Sequence, residues 1–321
     1  MYYRVLQILA DGQVHTAEQL NQYLSLGLGE LEQALNTLIT YGIRFHSKAD
    51  NTYQLTEALE LLERSRILAA LPRETRQLMA DLEIHSVLDS TNRHLLTQQH
   101  LTMPCVCLAE YQTAGRGRQG RQWVSPYASG LCLSLKQRYV ALNEPLGGLS
   151  IALGVTVARA LHRLGASDVG LKWPNDVLWR GRKLAGLLLE SRWRMDCEIV
   201  IGIGINVKMP PVETPNIAQP WVDLYTVLGH SISRNALAAM LIEQCLQTLI
   251  SYPQVGLAAF RPDWHDFDLS YGHTVTLSHD KRGERVTVTG TALGIDEQGA
   301  LLLEVGNTIQ RYVYGEVSLR L

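Results

Sequence analysis

No part of the 321-residue sequence is apolar for long enough to cross a bilayer as a helix. The uncharged run at residues 145–158 falls short of the ~20 residues required and is broken by glycines. The first eleven residues hold neither the long apolar core nor the small-residue cleavage site of a secretory signal. The expectation is a cytoplasmic protein with no membrane association. Cysteine is scarce: the five residues at 105, 107, 132, 197 and 245 form no C-x-x-C, so neither a disulfide framework nor a zinc site is suggested. Reduced thiols suit a reducing compartment. Cys105 and Cys107 stand two apart in an apolar run and share one face of a strand, where burial is the expectation and a metal or redox role the alternative. Neither a Walker A loop nor a G-x-S-x-G elbow occurs. A dominant charge is missing too: 29 Lys and Arg against 31 Asp and Glu leave a net charge of -2 and no global pull on polyanions. Any anion site must be built locally.

What is present is length and apolar content sufficient for two or three cores, with 46% hydrophobic and 19% charged residues. Residues 1–62 read as three short helices and a hairpin. Val5, Leu6 and Leu9 mark the first helix, Thr16 with Gln19 has capping-box spacing before the second, and Leu31, Leu35 and Leu38 face inward on the third. Residues 43–55, turning at Asp50-Asn51, supply a two-stranded wing, which makes the segment a winged helix-turn-helix. Residues 63–269 mix strand candidates (106–110, 131–136, 184–190, 199–205) with helix candidates (91–99, 149–164, 235–250), the pattern of a mixed sheet covered by helices. From 270 to 321 apolar residues alternate between glycines 290, 294 and 299, as in a small β-barrel. The fold class is α+β in three domains.

Five segments carry chemistry. Gly115-Arg116-Gly117-Arg118-Gln119-Gly120-Arg121 alternates glycine with arginine. It matches the dinucleotide G-x-G-x-x-G formally, but Gln122-Trp123-Val124-Ser125-Pro126 continues as loop where that motif needs a helix. Forked guanidinium donors on a pliable backbone suit phosphate and carboxylate; a solvated loop is the alternative. Lys172-Trp173-Pro174-Asn175-Asp176 gathers a cation, a ring and two polar side chains at a strand end, either for a nucleotide and its metal or as a turn between strands. Lys183 stands at the mouth of an apolar strand containing Gly186, where it meets reacting anions or simply snorkels. Gly202-Ile203-Gly204-Ile205-Asn206 is a second glycine-interrupted strand, fit for a flat ligand or for tight sheet packing. Ser90-Thr91-Asn92 begins a helix and either caps it or grips a polar ring. The proline-rich run 209–221 has the composition of a covering loop, with Trp221 available to stack or to be buried.

In this order the segments resemble the bacterial biotin-protein ligases of the bifunctional ligase and biotin-operon repressor type, and the resemblance covers nearly the whole chain. It implies a biotin/lipoate ligase catalytic domain at 63–269 between a winged helix-turn-helix at 1–62 and an SH3-like barrel at 270–321. It further implies that ATP and Mg2+ activate biotin as biotinyl-5'-AMP, and that biotin passes to a lysine of the biotin carboxyl carrier protein. On that pattern Ser90, Thr91, Asn92, Gln112, Arg116, Gly117, Arg118, Lys183, Gly186 and Gly204 serve biotin, with Lys183, Arg118 and Asp176 catalytic. Asn175, Asp176, Asn206, Val212, Ile217 and Trp221 serve the nucleotide, and Asp176 its metal. Relatives of this type dimerise when adenylate forms, through sheet edges near the glycine-arginine loop. A ligand-sensing transcription factor and a lipoate ligase are the competing readings, and the segments at 115–121 and 172–176 resemble the biotin branch.

The resemblance also places operator-DNA contacts at Glu30, Gln33, Asn36 and Thr37 of the third helix and at Lys48 of the wing. Residues 1–60 carry three basic residues (Arg4, Arg44, Lys48) against seven acidic ones. Phosphate contacts dominate DNA affinity and need cations. Repression and a purely structural role for this domain both stay open.

Overall fold

Apolar residues three and four apart on α1 (Tyr2–Leu9) bury Val5, Leu6 and Leu9 completely, which anchors the N-terminal core. The computed structural model describes residues 1–48, 51–98, 103–140, 148–193, 196–210, 219–281, 284–313 and 316–319. After α1, β1 (His15–Thr16) leads into α2 (Ala17–Leu24). Thr16 and Gln19 close the expected capping box, with the Thr16 hydroxyl accepting from Gln19 N at 3.1 Å and the Gln19 side chain accepting from Thr16 N at 2.9 Å. α3 (Leu28–Thr40) turns Leu31, Leu35 and Leu38 inward. β2 (Phe45–Lys48) and β3 (Thr52–Leu55) form the antiparallel hairpin, with Asn51 left-handed at the turn (φ 51°); Asp50 lies outside the described residues. β1 pairs with the other side of β3, giving the order β1-β3-β2. A strand of two residues has no alternation to read, so the sequence shows only a two-stranded wing.

The middle of the chain contributes α4 (Arg64–Ala70), α5 (Arg73–Leu78), β4 (Asp81–Leu88), α6 (Thr91–Thr97), β5 (Cys105–Gln112), β6 (Gly130–Tyr139) and α7 (Leu149–Arg163). It continues through β7 (Val169–Lys172), β8 (Asp176–Trp179), β9 (Arg182–Trp193), β10 (Cys197–Asn206), α8 (Leu224–Leu228), α9 (Arg234–Val255) and α10 (Arg261–Phe267). The seven strands run β4-β5-β6-β10-β9-β8-β7, with β4 and β5 parallel and the other pairs antiparallel. The four strand candidates and three helix candidates all form; α6 stops at Thr97, before its expected end at residue 99, which lies outside the described residues, and α9 extends beyond its expected end, through Pro253, until Gly256 stops it. One face of the sheet is aliphatic, with Leu133, Leu135, Ile201, Ile203 and Leu187 buried in the core shared by α7 and α9. Register puts smaller and more polar side chains on the opposite face: Cys132 beside Gly204 beside Gly186, and Ser134 beside Gly202. α6 covers part of this second face.

The C-terminal part is a five-stranded antiparallel sheet of β11 (Thr274–Lys281), β12 (Glu284–Ile295), β13 (Leu301–Val305), β14 (Thr308–Tyr312) and β15 (Glu316–Leu319), in the order β14-β13-β12-β11-β15. Its Val275, Leu277, Leu301 and Leu303 join the central core. Trp173 is almost wholly buried, and its indole N–H donates to the Gly299 carbonyl at 3.0 Å, tying the β7–β8 turn to this sheet. Among the described residues no helix is long and apolar enough to cross a membrane.

The N-terminal part is held to the centre by polar groups as well as by rings. Arg234, at the start of α9, pairs with the buried Glu110 of β5 at 2.8 Å and donates to the carbonyls of Glu60 and Gly130. Tyr41 of the N-terminal part packs against Tyr111 and Tyr127, with ring centroids 5.5 and 6.3 Å away. Removing one partner of a buried ion pair leaves the other charge uncompensated, at a cost of about 3–5 kcal/mol. Glu110→Ala is therefore expected to lower the unfolding free energy by that order, read as a fall in the urea midpoint at unchanged slope. An unchanged midpoint would show that Arg234 is satisfied by the carbonyls alone.

Candidate functional site

The polar face of the sheet opens into a cavity of about 530 Å³, ample for a small organic ligand. Its walls come from all five segments of unusual sequence: 90–92, 112–124, 172–176, 183–188 and 202–206. Gly186 and Gly204 are direct cross-strand partners on its floor. A methyl group on Gly204 would stand 2.4 Å from the Trp123 indole, and one on Gly186 3.3 Å from it. The glycine-interrupted strands thus receive a flat ring, and the ring in place is the chain's own Trp123. Sequence reading gave Trp123 no role, because nothing in its local pattern says which surface it meets.

At one end of the cavity the first turn of α6 presents a bonded polar cluster. Ser90 caps the helix, its hydroxyl accepting from Arg93 N at 3.5 Å, and Thr91 donates through N and Oγ1 to Gln112 Oε1 at 2.8 and 3.1 Å. Asn92 donates to the Leu188 carbonyl at 3.1 Å and to Glu190 Oε2 at 2.9 Å. Ser134, fully buried, brings its hydroxyl within 2.7 Å of both Thr91 Oγ1 and Asn92 Oδ1. Gly202 leaves room for Asn92, since a methyl there would meet Asn92 Oδ1 at 2.4 Å. Ser134 and Glu190 are partners of this cluster that the sequence did not reveal; strand register alone brings them here. Cys132 also lines the wall, and burial pushes its thiol up, so a ligand meets a small neutral group.

At the other end sit the charges. Lys172 and Asp176 are register partners on β7 and β8, and the three residues of the turn between them are Trp173, Pro174 and Asn175. Asp176 Oδ1 lies 2.7 Å from Lys183 Nζ and Oδ2 lies 3.3 Å from Lys172 Nζ, with all three side chains mostly buried. Lys183 Nζ also stands 5.6 Å from the centroid of Trp123. Asn175 clasps β9 by donating to the Leu187 carbonyl at 2.6 Å, while its Oδ1 accepts from Arg118 at 3.3 Å. Asn206 donates to the carbonyls of Lys183 and Val222 at 3.3 and 3.0 Å, so its amide holds backbone beside the cavity. Lysine 183 is further fixed by a parallel bridge to Trp221, with Lys183 N donating to the Pro220 carbonyl and Val222 N to the Lys183 carbonyl, both at 2.9 Å.

The glycine-arginine segment is closed on itself. Trp123 N donates to the Gly115 carbonyl at 2.9 Å, Gly117 N to the Arg121 carbonyl at 2.7 Å, and no helix longer than the three-residue 3-10 turn Arg118–Gly120 follows. The formal dinucleotide match is therefore not a strand-turn-helix. Arg116 reaches Glu190 at 3.1 Å, and Arg118 reaches Asn175, so the two arginines bracket the cavity. Trp221 lines it as well; Val212 and Ile217 lie outside the described residues.

The candidate DNA residues lie far from this cavity in the chain, on α3 and the hairpin. Gln33 and Asn36 are exposed on α3. The Glu30 carboxylate accepts from Gly27 N at 3.0 Å and so closes the start of its own helix, and the Thr37 hydroxyl donates back to the Gln33 carbonyl at 2.8 Å. Lys48 ends β2.

Comparison with known proteins agrees with this geometry. The biotin/lipoate A/B protein ligase family matches residues 84–206, and the biotin protein ligase C-terminal domain matches residues 281–320. The bifunctional ligase/repressor BirA of Escherichia coli is 37% identical over 321 residues, covering 99% of this chain and 96% of that protein. The biotin--[acetyl-CoA-carboxylase] ligase of Mycobacterium tuberculosis is 36% identical over 207 residues, 63% of this chain and 73% of its own. The solved biotin protein ligase from Aquifex aeolicus in complex with biotin and ATP superposes with a TM-score of 0.62 at 28% identity, covering 75% of this chain and 98% of that one. With a cavity assembled from the same five segments and a relative alike from end to end, the chain belongs to the biotin/lipoate A/B protein ligase family.

Proposed function

We propose that this chain is a biotin-protein ligase that makes biotinyl-5'-AMP from biotin and ATP and then transfers biotin to a lysine of the biotin carboxyl carrier protein. The observation that carries the reading is the cavity itself, with hydrogen-bonding groups at one end, a glycine and tryptophan floor between, and two ammonium groups around one carboxylate at the other. Biotin has the complementary order: a polar ureido ring, an apolar body and chain, and a carboxylate. In the first step a carboxylate oxygen bonds to the α-phosphorus and the bond to the bridging oxygen breaks, releasing pyrophosphate. In the second, the acceptor amine attacks the acyl carbon, loses a proton, and AMP departs.

Ser90, Thr91, Asn92 and Gln112 are assigned to the ureido end, and Gly186 and Gly204 with Trp123 to the flat body. Lys183 and Arg118 stabilise negative charge gathering between carboxylate and phosphate, and Arg116 with Gly117 covers the adenylate. Asn175, Asn206 and Trp221 form the nucleotide side, to which we also assign Val212 and Ile217. Asp176 is the acidic side chain lining the cavity among the described residues, and both its oxygens face ammonium groups. One carboxylate plus phosphate oxygens is an ordinary magnesium donor set, so Asp176 would hold Mg2+ together with the phosphates of ATP, with Lys183 then serving phosphate. Bound there, the ion would neutralise the departing pyrophosphate. Asp176 thus also serves to hold Lys183 in place.

By this reading residues 1–62 are a winged helix-turn-helix domain, 63–269 the catalytic domain and 270–321 an SH3-like barrel, in a cytoplasmic enzyme that dimerises as adenylate forms. Operator binding is the second activity we propose. It is favoured by the end-to-end likeness to a bifunctional ligase/repressor and by the exposed amides of Gln33 and Asn36 on α3.

Lys183→Ala is expected to slow pyrophosphate release by a factor on the order of 100 to 1,000 with unchanged circular dichroism; full activity would remove Lys183 from the chemistry. Gly204→Ala displaces Trp123 and should raise the KM for biotin roughly tenfold, equivalent to about 1.4 kcal/mol, with less effect on the KM for ATP. Equal effects on both substrates would detach the glycine floor from biotin. With three basic residues in 1–60, a dimer can make at most about six phosphate contacts, so the log-log salt slope of operator affinity should be no steeper than about -5. Anisotropy titrations with a biotin-operator duplex, biotin and MgATP measure it. No binding at low salt leaves the ligase activity alone.

A further inference from the structure

On the same polar face of the sheet, beyond the wall of the cavity, four side chains with metal-binding chemistry converge. Glu83 and His85 point from β4, Cys107 is the register partner of Glu83 on β5, and His94 comes from α6. The ligand atoms of His85, His94 and Cys107 lie within 4.8 Å of one another. Glu83 Oε2 is 2.9 Å from His85 Nε2 and 2.6 Å from His94 Nε2.

The hydrogen bonds of this cluster do not close. His94 Nε2 faces the Glu83 oxygen, which requires a proton on the nitrogen, and also the Gln98 side-chain nitrogen at 2.7 Å, which requires a lone pair. The Gln98 Oε1 atom is meanwhile buried without a partner. Turning the amide over does not help, because one N–H would then have to serve two acceptors. A cation at the centre would let the lone pairs of both imidazoles and of the carboxylate face it rather than one another; the His94 lone pair is then taken, and the Gln98 amide turns away from it.

We propose that His85, His94 and Cys107, with Glu83 as a fourth donor, bind one borderline-soft divalent metal ion of the zinc class. Tetrahedral zinc bonds of 2.0–2.3 Å set ligand atoms roughly 3.4–3.7 Å apart, so the cluster needs side-chain shifts on the order of 1 Å. Two imidazoles and a thiolate select such an ion over magnesium or calcium. A buried thiol yields its proton when a cation replaces it. The histidines are half-buried, which leaves an entry path. An ion here would pin α6, whose first turn carries Ser90, Thr91 and Asn92, to β4 and β5. The ligand spacing, with donors at 83, 85, 94 and 107 on two strands and a helix, matches no compact sequence motif.

The test is a titration of the full-length, chelator-treated protein with Co2+, read by absorbance, followed by displacement with Zn2+. One equivalent should bind with a thiolate-to-cobalt charge-transfer band. Cys107→Ala should abolish the band, His94→Gln and His85→Gln should each weaken binding roughly tenfold or more, and Cys197→Ala should change nothing. Circular dichroism confirms folding, and His85→Gln keeps the test decisive if the buried Cys107→Ala fails to fold. Absence of saturable binding, a bound cobalt without a thiolate band, or unchanged affinity in the histidine variants overturns the proposal.

Discussion

Two ammonium groups share one carboxylate at the charged end of the cavity, and much of the surrounding architecture serves to keep them there. Lys172 and Lys183 are too little exposed to be held side by side by water, and Asp176 offsets one of their two charges. What remains among these three groups is one positive charge in excess, on side chains so little exposed that it is weakly screened. The β7–β8 register puts Lys172 opposite Asp176, and the bridge to the 220–222 segment fixes Lys183. Trp173, between Lys172 and Asp176 in sequence, reaches across to the Gly299 carbonyl. The C-terminal sheet therefore contributes no cavity-lining residue among those described, yet it braces the hairpin on which the charges sit.

The central sheet divides its work by face. Alternation along β6, β9 and β10 sends aliphatic side chains toward α7 and α9, where close packing gives rigidity, and leaves glycine, serine and cysteine on the other side. A surface so thinly clad is a place where ligand or ring can lie against backbone. Both the cavity and the histidine-cysteine cluster belong to this face, and α6 touches both.

Much of this was legible beforehand, for identifiable reasons. Long apolar patterns such as that of α7 declare themselves by period, and the five unusual segments could be read because glycine, arginine and proline are conspicuous in such density. What could not be read depended on register. Ser134 and Glu190 are ordinary residues in ordinary strands until β6 and β9 are aligned with β10, and Trp123 is a loop aromatic until its ring is found on the glycines. The weight of Cys107 changed for the same reason. In sequence it is one more apolar strand residue, whereas parallel pairing with β4 brings it opposite Glu83 and near two histidines. The two-residue β1 strand and the helices α4 and α5 went unseen because they carry few periods, and neither helix has a side-chain cap such as Ser90 gives α6.

The glycine floor under Trp123 has a consequence for how such a sequence can drift. Positions 186 and 204 face each other across a strand pair; position 204 answers to position 123 on a separate loop, and position 186 meets both position 123 and Lys183. A larger residue at 204 cannot be accommodated by trimming its partner strand, because the space it needs belongs to the indole. The permissive change lies some eighty residues away, at the ring. Change at the floor is thus coupled to change in what rests on it.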